Sequence, residues 1–135
     1  MAVGIVIVSH SARLAEGVVE LAGQMAQADV RLIAAGGTDD GGLGTSITKV
    51  QNALLAADSS DGVVVLIDLG SAGLIAEMAL ELLPDGQRER IRIANAPLVE
   101  GAVVAAVQAS VGGSLDEVVA VAEEAATLNK LTREK

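Results

Sequence analysis

Two short stretches, VGIVIV at 3–8 and GVVVLID at 62–68, are apolar almost without a break. A strand with one face in water would alternate apolar and polar residues. A continuous run of Val and Ile instead reads as a parallel strand covered by helices on both faces. The rest of the chain supplies those helices. Leu14, Val18, Leu21, Ala22 and Met25 recur at helical spacing between Ala12 and Gln27. VRLIAA at 30–35 is a second strand, and the polar loop GGTDDGGLG at 36–44 follows it. Thr45 is expected to be the N-cap of a helix carrying Ile47, Val50, Leu54 and Leu55. Ser71 opens a helix through Leu83 that Pro84–Gly86 stops.

The second half continues the pattern. Ile91–Ala94 is a fourth, shorter strand with Pro97 at its exit, and Val99–Val111 is a helix ended by Gly112–Gly113. SLDE at 114–117 has the form of a capping box, which starts a last amphipathic helix reaching about Leu128. A charged tail from Asn129 on is expected to fray. Strand–helix alternation predicts right-handed βαβ units. The expected fold is α/β, with one domain over residues 1–135. Its sheet is doubly wound, mainly parallel and four-stranded, in the order 2-1-3-4 with helices on both faces.

Composition narrows what such a sheet can do. Apolar residues make up 51% of the chain without a single Phe, Tyr or Trp, so the core is built from Val, Leu, Ile, Ala and Met. A net charge of −9 leaves no basic footprint for nucleic acid and favours a docking partner with a basic face. There is no cysteine, which excludes disulfides and thiolate chemistry. Val3–Val8 is too short to span a bilayer and has no basic flank, so no membrane insertion is expected and the protein reads as soluble and cytoplasmic.

In a sheet of this order, ligands sit beyond the carboxyl ends of the strands, at the switch between the first and third. Three segments converge there: Ser9–His10–Ser11, the 36–45 loop, and Asp68 with Gly70 and Ser71. Neither VSHSA nor LGSAG supplies the G-x-S-x-G of a hydrolase elbow. Gly37–Gly42 has the spacing of a Walker loop, but Leu43 and Gly44 stand where Lys and Ser or Thr are needed. One histidine among scattered acids makes no metal site. A receiver domain would gather several carboxylates where this chain has mainly Asp68.

Elimination leaves His10, the only histidine, as the reactive group. A neutral imidazole is a nucleophile near pH 7 and carries a phosphoryl group on nitrogen. Asp68 is placed to accept its other N–H and fix the tautomer. Backbone N–H groups at Ser11–Ala12 and Ser71–Ala72, with the Ser9 and Thr45 hydroxyls, would cradle the phosphate. Plainer roles stand beside these. Asp68 is equally placed to cap the helix after it, Gly36, Gly37, Gly41, Gly42 and Gly44 serve either turns or a ligand, and Arg13 meets either solvent or a partner.

IVIVSHSARLAEGVVELAGQM, the loop ending GLGTS, VLIDLGSAGLIAEMALELL and NAPLVEGAVVAAVQASVGGSLDEV together resemble the mannose-type enzyme IIA family of the sugar phosphotransferase system. The resemblance covers nearly the whole chain, and SHS at 9–11, DLGSA at 68–72 and APLVEGA at 96–102 are its most specific pieces. It is greatest to the branch formed by the phosphotransferase subunits of bacterial dihydroxyacetone kinase. Sugar-type members carry a GGSP-like turn where this chain has GSAG at 70–73.

The resemblance implies that His10 takes a phosphoryl group from the phosphocarrier protein HPr, with Asp68 as its orienting partner and Thr45, Gly70 and Ser71 lining the phosphate site. It implies onward transfer to ADP held on the nucleotide-binding kinase subunit, beside a third subunit that binds dihydroxyacetone. No cofactor would be bound directly, since ADP and ATP are reached only through that partner. The alternative is an enzyme IIA component that passes phosphate to the B domain of a mannose-type sugar transporter. A non-catalytic regulatory module is a third reading. Homodimers are typical of the family. Some members are fused to HPr-like and enzyme I-like domains; at this length the chain is expected to borrow its donor.

Overall fold

The computed structural model describes residues 2–132. Its elements are β1 (Gly4–Ser9), α1 (Ala12–Gly23), β2 (Leu32–Gly36), α2 (Ile47–Ala57), β3 (Val63–Ile67) and α3 (Gly70–Glu81). After these come α4 (Asp85–Arg88), β4 (Ile91–Ile93), α5 (Leu98–Ser110), α6 (Leu115–Glu124) and a 3-10 turn at Ala125–Thr127. The sheet has the expected order β2-β1-β3-β4, and every pairing in it is parallel.

The uninterrupted apolar strands have the cause inferred from sequence. Ile5 and Ile7 of β1, with Val64 and Leu66 of β3, pack under α1, α5 and α6 through Ala15, Val18, Ala102, Ala105 and Val118. Val6 and Val8, with Val63 and Val65, face the opposite way, onto Val50 and Leu54 of α2 and Ala72 and Ala76 of α3. Successive side chains of one strand therefore enter two separate cores, and neither face reaches water.

Several boundaries differ from expectation, each for a local reason. Ser46, not Thr45, caps α2: its backbone is extended (φ −132°, ψ 121°) and its hydroxyl accepts the Lys49 N–H at 3.1 Å. α1 stops at Gly23 rather than Gln27, because the following amides turn back on carbonyls three residues earlier and Gln27 N–H goes to Ser110 Oγ (2.8 Å). α3 begins at Gly70 with Leu69 as its N-cap. α3 ends at Glu81 rather than Leu83, as the Leu82 and Leu83 amides turn back on the Ala79 and Leu80 carbonyls, and Pro84 caps α4, its carbonyl accepting from Gln87 and Arg88 (3.0 Å each). α6 tightens into the 3-10 turn before Leu128. Of the tail expected to fray, residues 133–135 lie outside the described ones, and Lys130 meets Glu100 at 2.5 Å.

The parallel register brings three strand ends to one edge of the sheet. Ser9 is level with Gly36 on β2, and Val8 is level with Ile67 on β3. Gly36 allows α1 to start there: a Cβ on it would stand 2.4 Å from the Ser11 carbonyl oxygen. Among the described residues no helix is long and apolar enough to cross a membrane.

Candidate active site

His10 is the first residue past β1, and the end of β3 brings Asp68 beside it. Two oxygens of one carboxylate hold two parts of this histidine. Asp68 Oδ2 accepts the His10 backbone N–H (2.9 Å), while Oδ1 meets ring Nδ1 at 3.0 Å. The same carboxylate also accepts the Ser9 hydroxyl (2.9 Å, to Oδ2) and the Leu69 N–H (2.7 Å, to Oδ1). Burial pushes the Asp68 carboxyl upward, but the His10 backbone and ring, Leu69 and Ser9 bonds outweigh it, and the net shift is below the ordinary aspartate value.

An ionised Asp68 only accepts hydrogen bonds, so the proton between it and the imidazole belongs to Nδ1. Nε2 then carries the lone pair. Ser71 Oγ lies 2.9 Å from Nε2, and when the ring is neutral the hydroxyl donates to that nitrogen. The two ring nitrogens thus differ in setting, Nδ1 backed by a carboxylate and Nε2 facing a hydroxyl. The His10 side chain keeps 28% of its exposure and Asp68 only 12%, which leaves the imidazole reachable and the carboxylate sheltered.

The predicted phosphate-site residues fall into two groups. Ser71 touches the ring, and Gly70 beside it opens α3, whose N-terminus has no side-chain cap. The Gly70 and Ser71 amides left uncapped in this way favour an anion, whereas the Ala72 N–H expected beside them is taken by the Leu69 carbonyl (2.9 Å). The hydroxyls of Ser9 and Ser11 are spent locally. Ser9 is fully buried; its Oγ donates to Asp68 and accepts from Ser11 N–H (3.0 Å). Ser11 Oγ caps α1 by accepting from Leu14 N–H (3.2 Å). Thr45 follows Gly44, whose N–H donates to the His10 carbonyl oxygen (2.8 Å), but Thr45 is not a partner of His10, Asp68 or Ser71. Asp68 does not cap α3 in the usual sense, since the amide it takes is that of the N-cap residue itself. Arg13 is exposed on α1 and joins none of these contacts.

Sequence reasoning missed the Gly44 and Leu69 amides. Gly44 sits at φ +136°, a conformation that only the fold reveals, though a glycine-rich loop after a strand is the signal that one is there. A groove of about 400 Å³ runs along the free edge of β2 between α1 and α2, lined by residues including Glu16, Ile33, Lys49 and Asn52, and includes none of His10, Asp68 and Ser71. The histidine lies outside it, at a half-open surface.

Known proteins resemble this chain in sequence and in fold. The family model described as the PTS system fructose IIA component matches residues 4–119. The phosphoryl donor subunit DhaM of PEP-dependent dihydroxyacetone kinase from Escherichia coli is 48% identical over 120 residues, which is 87% of this chain and 25% of that protein. The chain therefore spans about a quarter of the length of that relative. The phosphoryl donor subunit DhaM of PEP-dependent dihydroxyacetone kinase 2 from Listeria innocua is 41% identical, over 86% of this chain and 93% of its own. A crystal structure of a protein of unknown function superposes with a TM-score of 0.83 at 36% identity, covering 92% of this chain and 95% of the other.

Proposed function

The chain belongs to the family of PTS fructose IIA components, and from that membership we propose that it is a phosphoryl carrier that serves a dihydroxyacetone kinase. His10 takes the phosphoryl group from the phosphohistidine of HPr. It then gives it to ADP bound on the nucleotide-binding subunit of the kinase, restoring ATP for the phosphorylation of dihydroxyacetone held on a third subunit. The naming of relatives such as those of Escherichia coli and Listeria innocua as phosphoryl donor subunits supports this assignment. Within the molecule, one observation carries it: the imidazole stands between Asp68 Oδ1 (3.0 Å) and Ser71 Oγ (2.9 Å), with Nε2 toward the open side.

In the first step the Nε2 lone pair attacks phosphorus. An N–P bond forms as the donor's N–P bond breaks, and the donor ring, protonated at its other nitrogen, leaves as neutral imidazole. The positive charge gained by the His10 ring is matched by Asp68, which already holds Nδ1–H. Phosphoryl transfer needs mainly positioning and charge stabilisation. Ser71 Oγ and the uncapped N–H groups of α3 supply the second by donating to the phosphoryl oxygens. In the second step a β-phosphate oxygen of ADP attacks, the N–P bond to His10 breaks, and its electron pair returns to Nε2. The half-open setting of His10 suits delivery by a protein surface better than capture of a free small molecule. Two copies of the chain forming a cytoplasmic homodimer complete the proposal.

Incubation with phosphoenolpyruvate, enzyme I and HPr tests it. The expected product is an acid-labile, alkali-stable phosphoprotein that His10→Ala does not form and that discharges onto the ADP-loaded kinase subunit. No label on the protein with verified active donors would overturn the carrier role. Discharge onto a sugar transporter's B domain in preference to the kinase would replace it with the transport reading.

A further inference from the structure

Resting on the carrier reading, we propose that Thr38 is a positioning residue for phosphoryl transfer, setting the loop that holds the backbone of His10. Among the described residues, four hydrogen-bond contacts hold His10. Two come from Asp68, one from Ser71 Oγ at Nε2, and one from Gly44 N–H at the carbonyl oxygen (2.8 Å). Once phosphorus occupies Nε2, the Ser71 contact to that nitrogen is gone. Gly44 is then the one remaining member of the four that does not depend on Asp68.

Thr38 shapes the loop that delivers Gly44. Its hydroxyl donates to Asp40 Oδ1 (2.5 Å) and accepts the Gly42 N–H (2.9 Å). Its backbone N–H reaches the Gly42 carbonyl (3.0 Å), and its own carbonyl takes the Gly41 N–H (3.0 Å). Its methyl group lies against Gly44, where a Cβ would stand 2.8 Å from Cγ2. Both ends of the loop are tied to the catalytic turn, Gly37 N–H to the Ser9 carbonyl (3.2 Å) and Gly44 N–H to that of His10. A side chain that closes the loop internally therefore sets where the second tie falls.

The test compares Thr38→Val, which keeps the branched shape and removes the hydroxyl, with Thr38→Ser, which keeps the hydroxyl. Rapid-quench phosphorylation by phospho-HPr gives the saturating rate and KM, and ¹⁵N shifts of the His10 ring and exchange of the Gly44 amide report the geometry. In Thr38→Val the saturating rate is expected to fall about tenfold with KM unchanged, as small misplacements of reacting groups do. Its ring shifts move and its Gly44 amide exchanges faster, whereas Thr38→Ser stays within about twofold of wild type in rate. A wild-type saturating rate in Thr38→Val overturns the proposal, as does an equal loss in Thr38→Ser or a loss confined to KM. If Thr38→Val does not fold, Asp40→Ala, which removes the acceptor of the same hydroxyl, carries the same expectation and the same overturning result. Should wild type take no label, the carrier reading fails, and the ring shifts alone decide on Thr38: unchanged shifts in Thr38→Val overturn its role.

Discussion

Asp68 holds His10 at two points with two different oxygens, Oδ2 on the backbone N–H at 2.9 Å and Oδ1 on ring Nδ1 at 3.0 Å. A residue gripped in this way cannot turn its ring without also moving its peptide. Asp68→Asn keeps the shape but loses the charge that supports an imidazolium, and its amide nitrogen cannot accept Nδ1–H. The variant is expected to fold normally and to be phosphorylated on the order of 100-fold more slowly, which rapid-quench labelling against a matched thermal melt would read. Full transfer rates in Asp68→Asn would remove the carboxylate from the mechanism.

Ser9 tests whether the support behind that carboxylate matters for stability. Its buried hydroxyl serves Asp68 and the Ser11 N–H together, so Ser9→Ala strands one donor and removes another from an ion. Urea unfolding should show a loss of about 1–3 kcal/mol. A change of only a few tenths would mean that water replaces the hydroxyl.

Two glycines should answer oppositely to one added methyl group. At Gly36 a Cβ would meet the Ser11 carbonyl oxygen at 2.4 Å and the Ala12 Cα at 2.9 Å, both backbone atoms that cannot swing aside. Gly36→Ala is expected to cost about 1–3 kcal/mol in denaturant unfolding. At Gly70 nothing lies within 4 Å of the same atom. Gly70→Ala should keep wild-type stability, so a slower phosphoryl transfer in that variant would show directly that the incoming group needs this space.

The lowered Asp68 carboxyl also predicts an acid limit. A group whose folded value lies below its unfolded one adds stability that is complete above the unfolded value, here the ordinary 3.8, and lost as pH falls through the folded value. Wild type should therefore lose stability below about pH 4 more steeply than Asp68→Asn, whose amide does not titrate. Superimposable pH–stability curves for the two proteins would contradict the bonding described for the carboxylate.

The chain shows its sheet plainly and its loops poorly. β1 and β3 are legible because burial on both faces leaves no polar position, and the parallel connection between them brings the residue after each strand to one edge. This is why the pairing of His10 with Asp68 can be read across a separation of 58 positions. The α2 cap is ambiguous in sequence because Thr45 and Ser46 are adjacent hydroxyls, and only the backbone angle decides that Ser46, not Thr45, reaches the Lys49 amide. Ser9 looks like a phosphate contact because a hydroxyl beside a reactive histidine gives no sign of being sealed under Asp68. Gly44 is hidden for a related reason, since a contact made by an amide leaves no side chain to notice.

On the proposed carrier reading, the contact between Ser71 Oγ and Nε2 places a hydroxyl in the spot that an arriving phosphorus would take. For a phosphoryl carrier, every exchange then begins with the departure of that hydroxyl. The departure is a rotation about a single Cα–Cβ bond at the start of a firm helix, with no segment of backbone asked to open. Such a latch would work in picoseconds to nanoseconds, far faster than proteins meet and separate, and turnover would be paced by encounter rather than by the fold.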